Sequence, residues 1–244
     1  MVAVIHRLQI LASLLVLVAS GLAANEPGGQ LVPHSAEYKV KISVLGGKLT
    51  TQLEETPDGY RASSMIRATG LSRIIAHGEI SETSEFAVTP AGVRPRHFVS
   101  NDGITREKET VDFTFDWDTD SVSGMWNGEH FENQFDGVMH DRVSLQYGLM
   151  LDLANGIHRD EYFLQDAEKF KPLRITNVGT KTVKVPYGEF EAIGIQHQQE
   201  GSSRTTTLWV VEELGYLPVI IEQRRKGKIQ VRAELESYLP AGNS

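Results

Sequence analysis

A group of potential metal ligands is the feature of this chain that could most directly do chemistry. Asp136, His140 and Asp141 lie close together in the sequence, and His130 precedes them. Imidazole and carboxylate groups are suitable ligands for zinc or manganese, so a metal-dependent hydrolase is one hypothesis. The spacing matches no established metal motif, and the H-E-x-x-H signature is absent. The simpler interpretation is that Asp141 caps a helix, and we expect neither a bound metal nor a cofactor.

Other catalytic signatures are missing from the sequence. A G-x-S-x-G nucleophile motif does not occur, and Gly46-Gly47 and Gly201 fall at predicted hairpin turns rather than before helices. The adjacent carboxylates Glu54-Glu55 and Glu212-Glu213 would point to opposite faces of a strand. We therefore predict no catalytic residues and favour a non-enzymatic protein.

A basic segment near the C-terminus is a candidate contact surface. Arg224, Arg225 and Lys226 are consecutive, and Lys228 and Arg232 follow them. One interpretation is a solvated hairpin whose charges oppose edge-to-edge pairing. The other is a contact with a lipid headgroup or with a protein partner in the envelope.

A predicted helix over residues 141–155 is apolar around most of its circumference, so it must be covered on nearly all sides. It either plugs a curved sheet as core or acts as a lid over an apolar groove that admits a hydrophobic small molecule. The candidate groove or lid residues are Leu145, Leu149, Met150, Leu153, Trp126, Phe113 and Phe115.

The elements that must position these residues are mostly strands. Alternating apolar and polar residues, separated by Gly, Pro and Asn turn signals, predict an antiparallel meander that forms a barrel or half-barrel with one central apolar helix. A second, short helix is predicted over 71–76, and two packed sheets remain an alternative. The predicted strands are 35–44, 48–56, 60–68, 79–88, 93–100, 110–117, 122–126, 129–135, 161–165, 173–178, 181–185, 189–197, 204–211, 219–226 and 228–239.

The N-terminus has the layout of a secretory signal peptide. Arg7 precedes an apolar run that is too short to remain as a transmembrane helix, and small residues follow up to Ala24. We predict a signal peptide over 1–24, a flexible leader over 25–34, one β-rich domain over 35–240 and a tail over 241–244. The expected location is the periplasm, with no transmembrane segment after cleavage.

Composition excludes some partners. The chain has no cysteine, and without Arg7 it carries 23 Lys and Arg against 32 Asp and Glu, a net charge of −9. An acidic chain of this kind is a poor candidate for nucleic-acid binding.

Several motifs lie in the C-terminal third, and one further motif lies at the start of the predicted helix. The C-terminal motifs are Val185-Pro186-Tyr187-Gly188-Glu189-Phe190-Glu191-Ala192, Leu208-Trp209-Val210-Val211, Leu214-Gly215-Tyr216-Leu217-Pro218-Val219 and Gly227 before a final strand ending in Leu235; the helix motif is Asp141-Arg142-Val143-Ser144-Leu145-Gln146-Tyr147. With these motifs the chain resembles an exported family of Gram-negative envelopes known as domain of unknown function 3108, and the likeness spans Ser35 to Pro240. The resemblance implies a mainly antiparallel β protein of the periplasm, similar in architecture to envelope proteins that carry lipid or acyl groups on a concave β surface.

The sequence and the resemblance together favour a non-enzymatic periplasmic binding or envelope-maintenance protein that holds a lipid or other hydrophobic ligand. The first alternative is a protein-interaction module for envelope assembly, and the second is the metal-dependent hydrolase.

Overall fold

The computed structural model describes residues 29–42, 45–74, 77–104 and 108–242. The predicted signal peptide over 1–24 and the first part of the predicted leader lie outside the described residues.

Strands dominate the described residues, which form fifteen strands and one α-helix. The helix α1 spans Ser144–Ala154, and short 3-10 turns span Gly70–Ile74 and Glu212–Leu214. The strands are β1 (His34–Ile42), β2 (Leu45–Thr56), β3 (Gly59–Ala68), β4 (Glu79–Thr89), β5 (Gly92–Asp102), β6 (Glu109–Asp116), β7 (Ser121–Trp126), β8 (Glu129–Gln134), β9 (Met139–His140), β10 (Glu161–Asp166), β11 (Lys169–Val185), β12 (Gly188–Gln199), β13 (Arg204–Val211), β14 (Leu217–Arg225) and β15 (Lys228–Pro240).

All fifteen strands belong to one sheet that curves without closing, in the order β8 to β1, then β15 down to β9. The sheet therefore consists of two antiparallel meanders, an N-terminal one (β1–β8) and a C-terminal one (β10–β15). Pairing of β1 with β15 joins the meanders, and β9 adds to β10 as a parallel edge strand. The predicted half-barrel with a central helix is confirmed, and the alternative of two separate sheets is wrong.

Alternating residues explain why the strands form. Ala36, Tyr38 and Val40 are buried on one face of β1, as predicted. The turn between β7 and β8 uses Asn127 and Gly128 with φ of 52° and 84°, which is the twist that a two-residue hairpin requires. Pro95 lies in a central strand opposite Phe86, next to an irregularity in the register, which is a position that proline tolerates within a sheet.

Three predicted boundaries need correction. The strands predicted over 173–178 and 181–185 are one strand, β11, because a bulge at 177–180 bends the chain without ending its pairing with β12. The helix begins at Ser144 because residues 141–143 form the turn that precedes it. Leu31, in the predicted leader, is buried in the larger core, and the Gly29 amide donates to Asn155 Oδ1 (2.9 Å).

The helix α1 lies inside the curve of the sheet and contacts both meanders. Tyr147, Met150 and Leu151 belong to the larger core together with residues of the N-terminal strands. Leu145 and Leu149 belong to a second core with residues of β10 to β13. The helix is therefore buried on nearly all sides, as its apolar circumference predicts.

Candidate functional site

The start of α1 is fixed by a buried carboxylate. Asp141 Oδ1 accepts hydrogen bonds from the amides of Val143 and Ser144 (both 2.8 Å), and Ser144 Oγ accepts one from the Asp141 amide (3.0 Å). Ser84 Oγ on β4 donates to Asp141 Oδ2 (2.6 Å). Burial raises the pKa of Asp141, and these donors oppose that rise. Asp141 thus holds the turn before the helix against the N-terminal meander.

A cavity of about 240 Å³, which we call the inner cavity, lies where α1 meets both meanders. Its apolar walls come from the helix and from strands of both meanders. They are Leu49, Ile66, Leu145, Leu149, Leu208 and Ile221. An engineered apolar cavity of about 150 Å³ in another protein binds benzene, so the inner cavity has room for a small apolar group.

A second cavity of about 430 Å³, the polar cavity, adjoins the first. Arg142, Leu145, His197 and Thr206 line both cavities. The remaining walls of the polar cavity are mainly polar and include Asp166, Lys171, Gln198, Ser202 and Arg204. An apolar compartment and a polar one therefore lie side by side along the same face of the C-terminal meander.

A cluster of charged side chains, the Arg142 cluster, stands at this junction. It consists of Arg142, Glu82, Glu109, Asp166 and Lys171. The Arg142 guanidinium lies 2.8 Å from Glu82, 3.0 Å from Glu109 and 2.9 Å from Asp166, and Lys171 pairs with Asp166. Burial raises the pKa of Glu82, while Lys171 and Arg142 outweigh burial and lower the pKa of Asp166. The cluster places fixed charges of both signs beside an apolar cavity.

A third cavity of about 300 Å³, the far cavity, lies towards the other end of α1 and shares Leu149 with the inner cavity. Its polar wall is a triad in which buried Asp152 Oδ2 accepts hydrogen bonds from half-buried Arg159 Nε (2.7 Å) and from the hydroxyl of buried Tyr162. Burial and the neighbouring carboxylate raise the pKa of Tyr162. The triad ties the end of the helix to β10.

The predicted groove residues divide between cavity walls and core. Leu145 and Leu149 line the inner cavity, Leu149 and Leu153 line the far cavity, and Met150 is buried in the larger core. Phe113 and Phe115 are buried among the rings of Phe98, Phe131, Trp117 and Phe135, and Trp126 Nε1 donates to Glu109 Oε2 (3.3 Å). Those three aromatic residues line none of the three cavities.

The metal-ligand candidates are not brought together. His140 is buried, Asp136 is exposed, and the oxygens of Asp141 already accept bonds from Ser84, Val143 and Ser144. Burial lowers the pKa of His140 to about 3, and both of its ring nitrogens are buried without a hydrogen-bond partner. Within the described ranges no group of three or more His, Asp or Glu side chains could hold a metal ion.

The basic segment has two unlike faces. Arg224 pairs with Glu222 (2.6 Å), and Arg232 pairs with both Glu222 and Glu234 (each 2.8 Å), so two carboxylates neutralise these two cations. Arg225 and Lys226 are exposed at the β14–β15 turn, where Lys226 and Gly227 have φ of 49° and 75°. Among the described residues neither of them has a carboxylate within 4.0 Å.

Sequence reasoning missed the Arg142 cluster and the polar cavity. The members of the cluster come from β4, β6, the turn before α1, β10 and the start of β11, and no spacing in the sequence links them. A charged residue directly before a very apolar helix was the available signal.

One solved structure supports the fold. A β-barrel-like protein of domain of unknown function DUF1849 from Brucella abortus is similar with a TM-score of 0.59 at 11% identity, covering 88% of this chain and all (100%) of that one. A candidate lipoprotein from Parabacteroides distasonis gives a TM-score of 0.35 at 14% identity over 87% of this chain and 97% of that one. No curated protein sequence matches the chain. The family described as protein of unknown function (DUF3108) matches residues 35–235.

Proposed function

Because the chain belongs to the DUF3108 family, whose function is unknown, we propose from its cavities that it is a non-enzymatic binding protein of the periplasm. In this proposal the inner cavity holds an acyl chain of a lipid or lipoprotein-like ligand, and the polar cavity holds the adjoining polar group. The predicted signal peptide supports export. Among the described residues no helix is long and apolar enough to cross a membrane.

The observation that carries the proposal is the adjacency of the two cavities. The inner cavity measures about 240 Å³ and the polar cavity about 430 Å³, and they share four lining residues. Ligand sites usually measure about 300–1,000 Å³, are mostly apolar and contain a few placed polar groups. Together the cavities fit that description, with Leu145 and Leu208 on the apolar side and Arg142 at the boundary.

Burial of apolar surface would supply the affinity. Removal of apolar area from water contributes about 25 cal/mol per Å², so each methylene group that enters the inner cavity strengthens binding. The Arg142 cluster offers both a cation and carboxylates, so it can orient a polar group without an ionised ligand.

A pair of neighbouring substitutions tests the proposal. Thr206 lines both cavities, whereas Thr205 points to the opposite face of β13. Thr206→Phe should fill the junction and weaken binding of a fluorescent fatty acid at least about tenfold, which corresponds to about 1.4 kcal/mol. Thr205→Phe is the matched control, since both positions accept an aromatic residue in a strand.

Equal binding by both variants would contradict the proposal. Thermal unfolding of each variant shows whether a loss of binding comes from a loss of fold. Wild-type protein that binds no fatty acid, and that carries no extractable ligand from the cell, would favour the interaction module instead.

A further inference from the structure

We infer that one end of the sheet docks on an anionic membrane surface. This end, which we call the mouth end, carries the last residue of β1, the first residue of β2, the 3-10 turn that follows β3, and the β12–β13 and β14–β15 turns. The inference goes beyond the proposed function, because a protein could hold a ligand in its cavities without touching a bilayer.

The register of the sheet places these segments together. Ile42 pairs with Leu45 in β2 and with Val231 in β15, and Gly47 pairs with Ala68 at the end of β3. Arg225 pairs with Arg204 on one side and with Lys228 on the other. Adjacent strands lie about 4.8 Å apart, so β3 and β14, four places apart in the sheet, are within about 20 Å of each other.

Three cations form a row across the mouth end. Arg204, Arg225 and Lys228 are direct cross-strand neighbours, and all three are exposed. Like charges in directly opposite positions destabilise a sheet. Within the part of the chain that the structure describes, no carboxylate lies within 4.0 Å of any of the three. An arrangement that costs stability and lacks an internal partner points to an external anion.

The face on which this row lies connects it to the cavities. Arg204 and Thr206 both line the polar cavity, so the row lies on the concave side of β13 and β14. On the other face Arg224 and Arg232 pair with Glu222, and Arg232 also pairs with Glu234. The concave side of β13 to β15 therefore presents a row of cations without a carboxylate partner, and Arg204 connects this row to the polar cavity.

The nearby acidic charge is small. Glu200 on the β12–β13 turn is exposed, whereas Lys226 adds a further cation at the β14–β15 turn. Around these two turns four exposed cations, Arg204, Arg225, Lys226 and Lys228, therefore stand against one exposed carboxylate, in a chain whose net charge is −8. Charge complementarity selects an anionic partner for this surface.

Exposed aliphatic side chains lie at the same end. Leu71 is 83% exposed and Ile74 is 71% exposed, on the 3-10 turn that follows β3. The turn is anchored, because the hydroxyl of buried Ser72 accepts a hydrogen bond from the Gly46 amide (2.9 Å). Aliphatic side chains held outward beside unneutralised cations are the combination with which proteins bind the interface of anionic bilayers.

Vesicle sedimentation tests this docking surface. The protein is purified from its own cell envelope, after any processing by the cell. It is then mixed with vesicles of equal parts phosphatidylglycerol and phosphatidylcholine, or with vesicles of phosphatidylcholine alone. Each cation near an anionic surface contributes about fivefold in binding. The double variant Arg225→Gln/Lys228→Gln should therefore bind the anionic vesicles about thirtyfold more weakly. Its control is Lys181→Gln/Lys184→Gln, which removes two exposed cations at the opposite end of β11.

The aliphatic contribution needs a second variant. Leu71→Ser/Ile74→Ser should weaken binding to anionic vesicles about tenfold. Its control is Val88→Ser/Leu239→Ser, since these side chains are 41% and 62% exposed at the opposite end of the strands. High salt should reduce the binding of the wild-type protein to anionic vesicles.

Three results would overturn the inference. They are no binding of the wild-type protein to anionic vesicles, equal losses in the docking and control variants, and equal binding to neutral and anionic vesicles. Absence of binding of the wild-type protein to anionic vesicles is also the result expected if the cations bound an acidic protein instead of a membrane. All docking variants should still bind the fluorescent fatty acid in solution, so a failure of docking is distinguishable from a failure of the proposed function.

Discussion

Replacement of Arg142 by methionine tests whether the Arg142 cluster is a buried network on which the fold depends. The guanidinium lies within 3.0 Å of three carboxylates, and its side chain is 25% exposed, against 19% for Glu82, 30% for Glu109 and 23% for Asp166. Removal of one partner from a buried charge network costs about 3–5 kcal/mol. Since each of these side chains retains some contact with solvent, we expect Arg142→Met to lower the free energy of unfolding at pH 7 by an amount at the lower end of this range, about 3 kcal/mol.

An exposed pair in the same sheet provides the control. Arg61 lies 2.7 Å from Glu85, but the two side chains are 51% and 35% exposed. Arg61→Met should therefore cost less than about 1 kcal/mol. Urea unfolding followed by circular dichroism measures both variants under the same conditions.

The pH dependence of Arg142→Met separates lost charge neutralisation from lost packing. Burial already raises the pKa of Glu82, and without Arg142 the pKa values of the neighbouring carboxyls should rise further. A group with a raised folded pKa loses stabilisation as pH rises through that pKa and regains it as pH falls. The difference in the free energy of unfolding between the wild type and Arg142→Met should therefore become smaller as the pH falls from 7 to about 4.5. A loss no larger than that of Arg61→Met, or a deficit independent of pH, would refute the reasoning.

Three further predictions concern the helix, the buried histidines and the N-terminus. A Cβ atom at Gly148 would lie 2.6 Å from His140 Cε1, so Gly148→Ala should lower the free energy of unfolding, measured in urea, by about 1–3 kcal/mol. The double variant with His140→Ala should recover part of that loss. If the losses of the two single variants simply add, the contact between the two residues is contradicted. Burial lowers the pKa of His140 to about 3 and that of His197 to about 4. As the pH falls below about 6.5, the unfolded chain therefore binds protons before the folded chain does, and the free energy of unfolding should decrease towards pH 4. His140→Leu should reduce the slope of this free energy against pH by up to about 1.4 kcal/mol per pH unit, and an unchanged slope would show that His140 titrates normally. Intact-mass measurement of the protein from its own cell envelope should give a chain that begins near Ala24 or Asn25, and a mass that includes the apolar run of residues 8–18 would contradict the predicted signal peptide.

Local alternation was sufficient to predict most of the fold. Strands such as β1 and β6 bury one face, so Tyr38 and Phe113 mark their own orientation in the sequence. The apolar circumference of α1 likewise predicted a helix covered on both sides, because no exposed face was available. Prediction failed where tertiary contacts decide: β9 has two residues and exists only because β10 pairs with it. The bend within β11 depends on Gly179, whose φ is 93°.

The candidate site was predictable only in part. Leu145 and Leu149 were identified because a helix must direct apolar side chains inward, and both line the inner cavity. Trp126, Phe113 and Phe115 were assigned to the groove from their apolarity alone, which does not distinguish a cavity wall from a packed core. Arg142 and Thr206 became candidates only through geometry, since the pairing of distant strands and the position of the helix create the junction that they line.

Native mass spectrometry of the wild-type protein and of Thr206→Phe, both purified without detergent from their own envelope, tests the ligand-binding proposal most directly. We predict that wild-type protein carries additional mass that organic extraction removes and that the extract contains an acyl chain. Thr206→Phe should show the mass of the bare chain, and Thr205→Phe should resemble the wild type. Equal occupancy in wild type and Thr206→Phe, or a bare wild-type chain that also binds no added fatty acid, would contradict the assignment of the inner cavity as a ligand site.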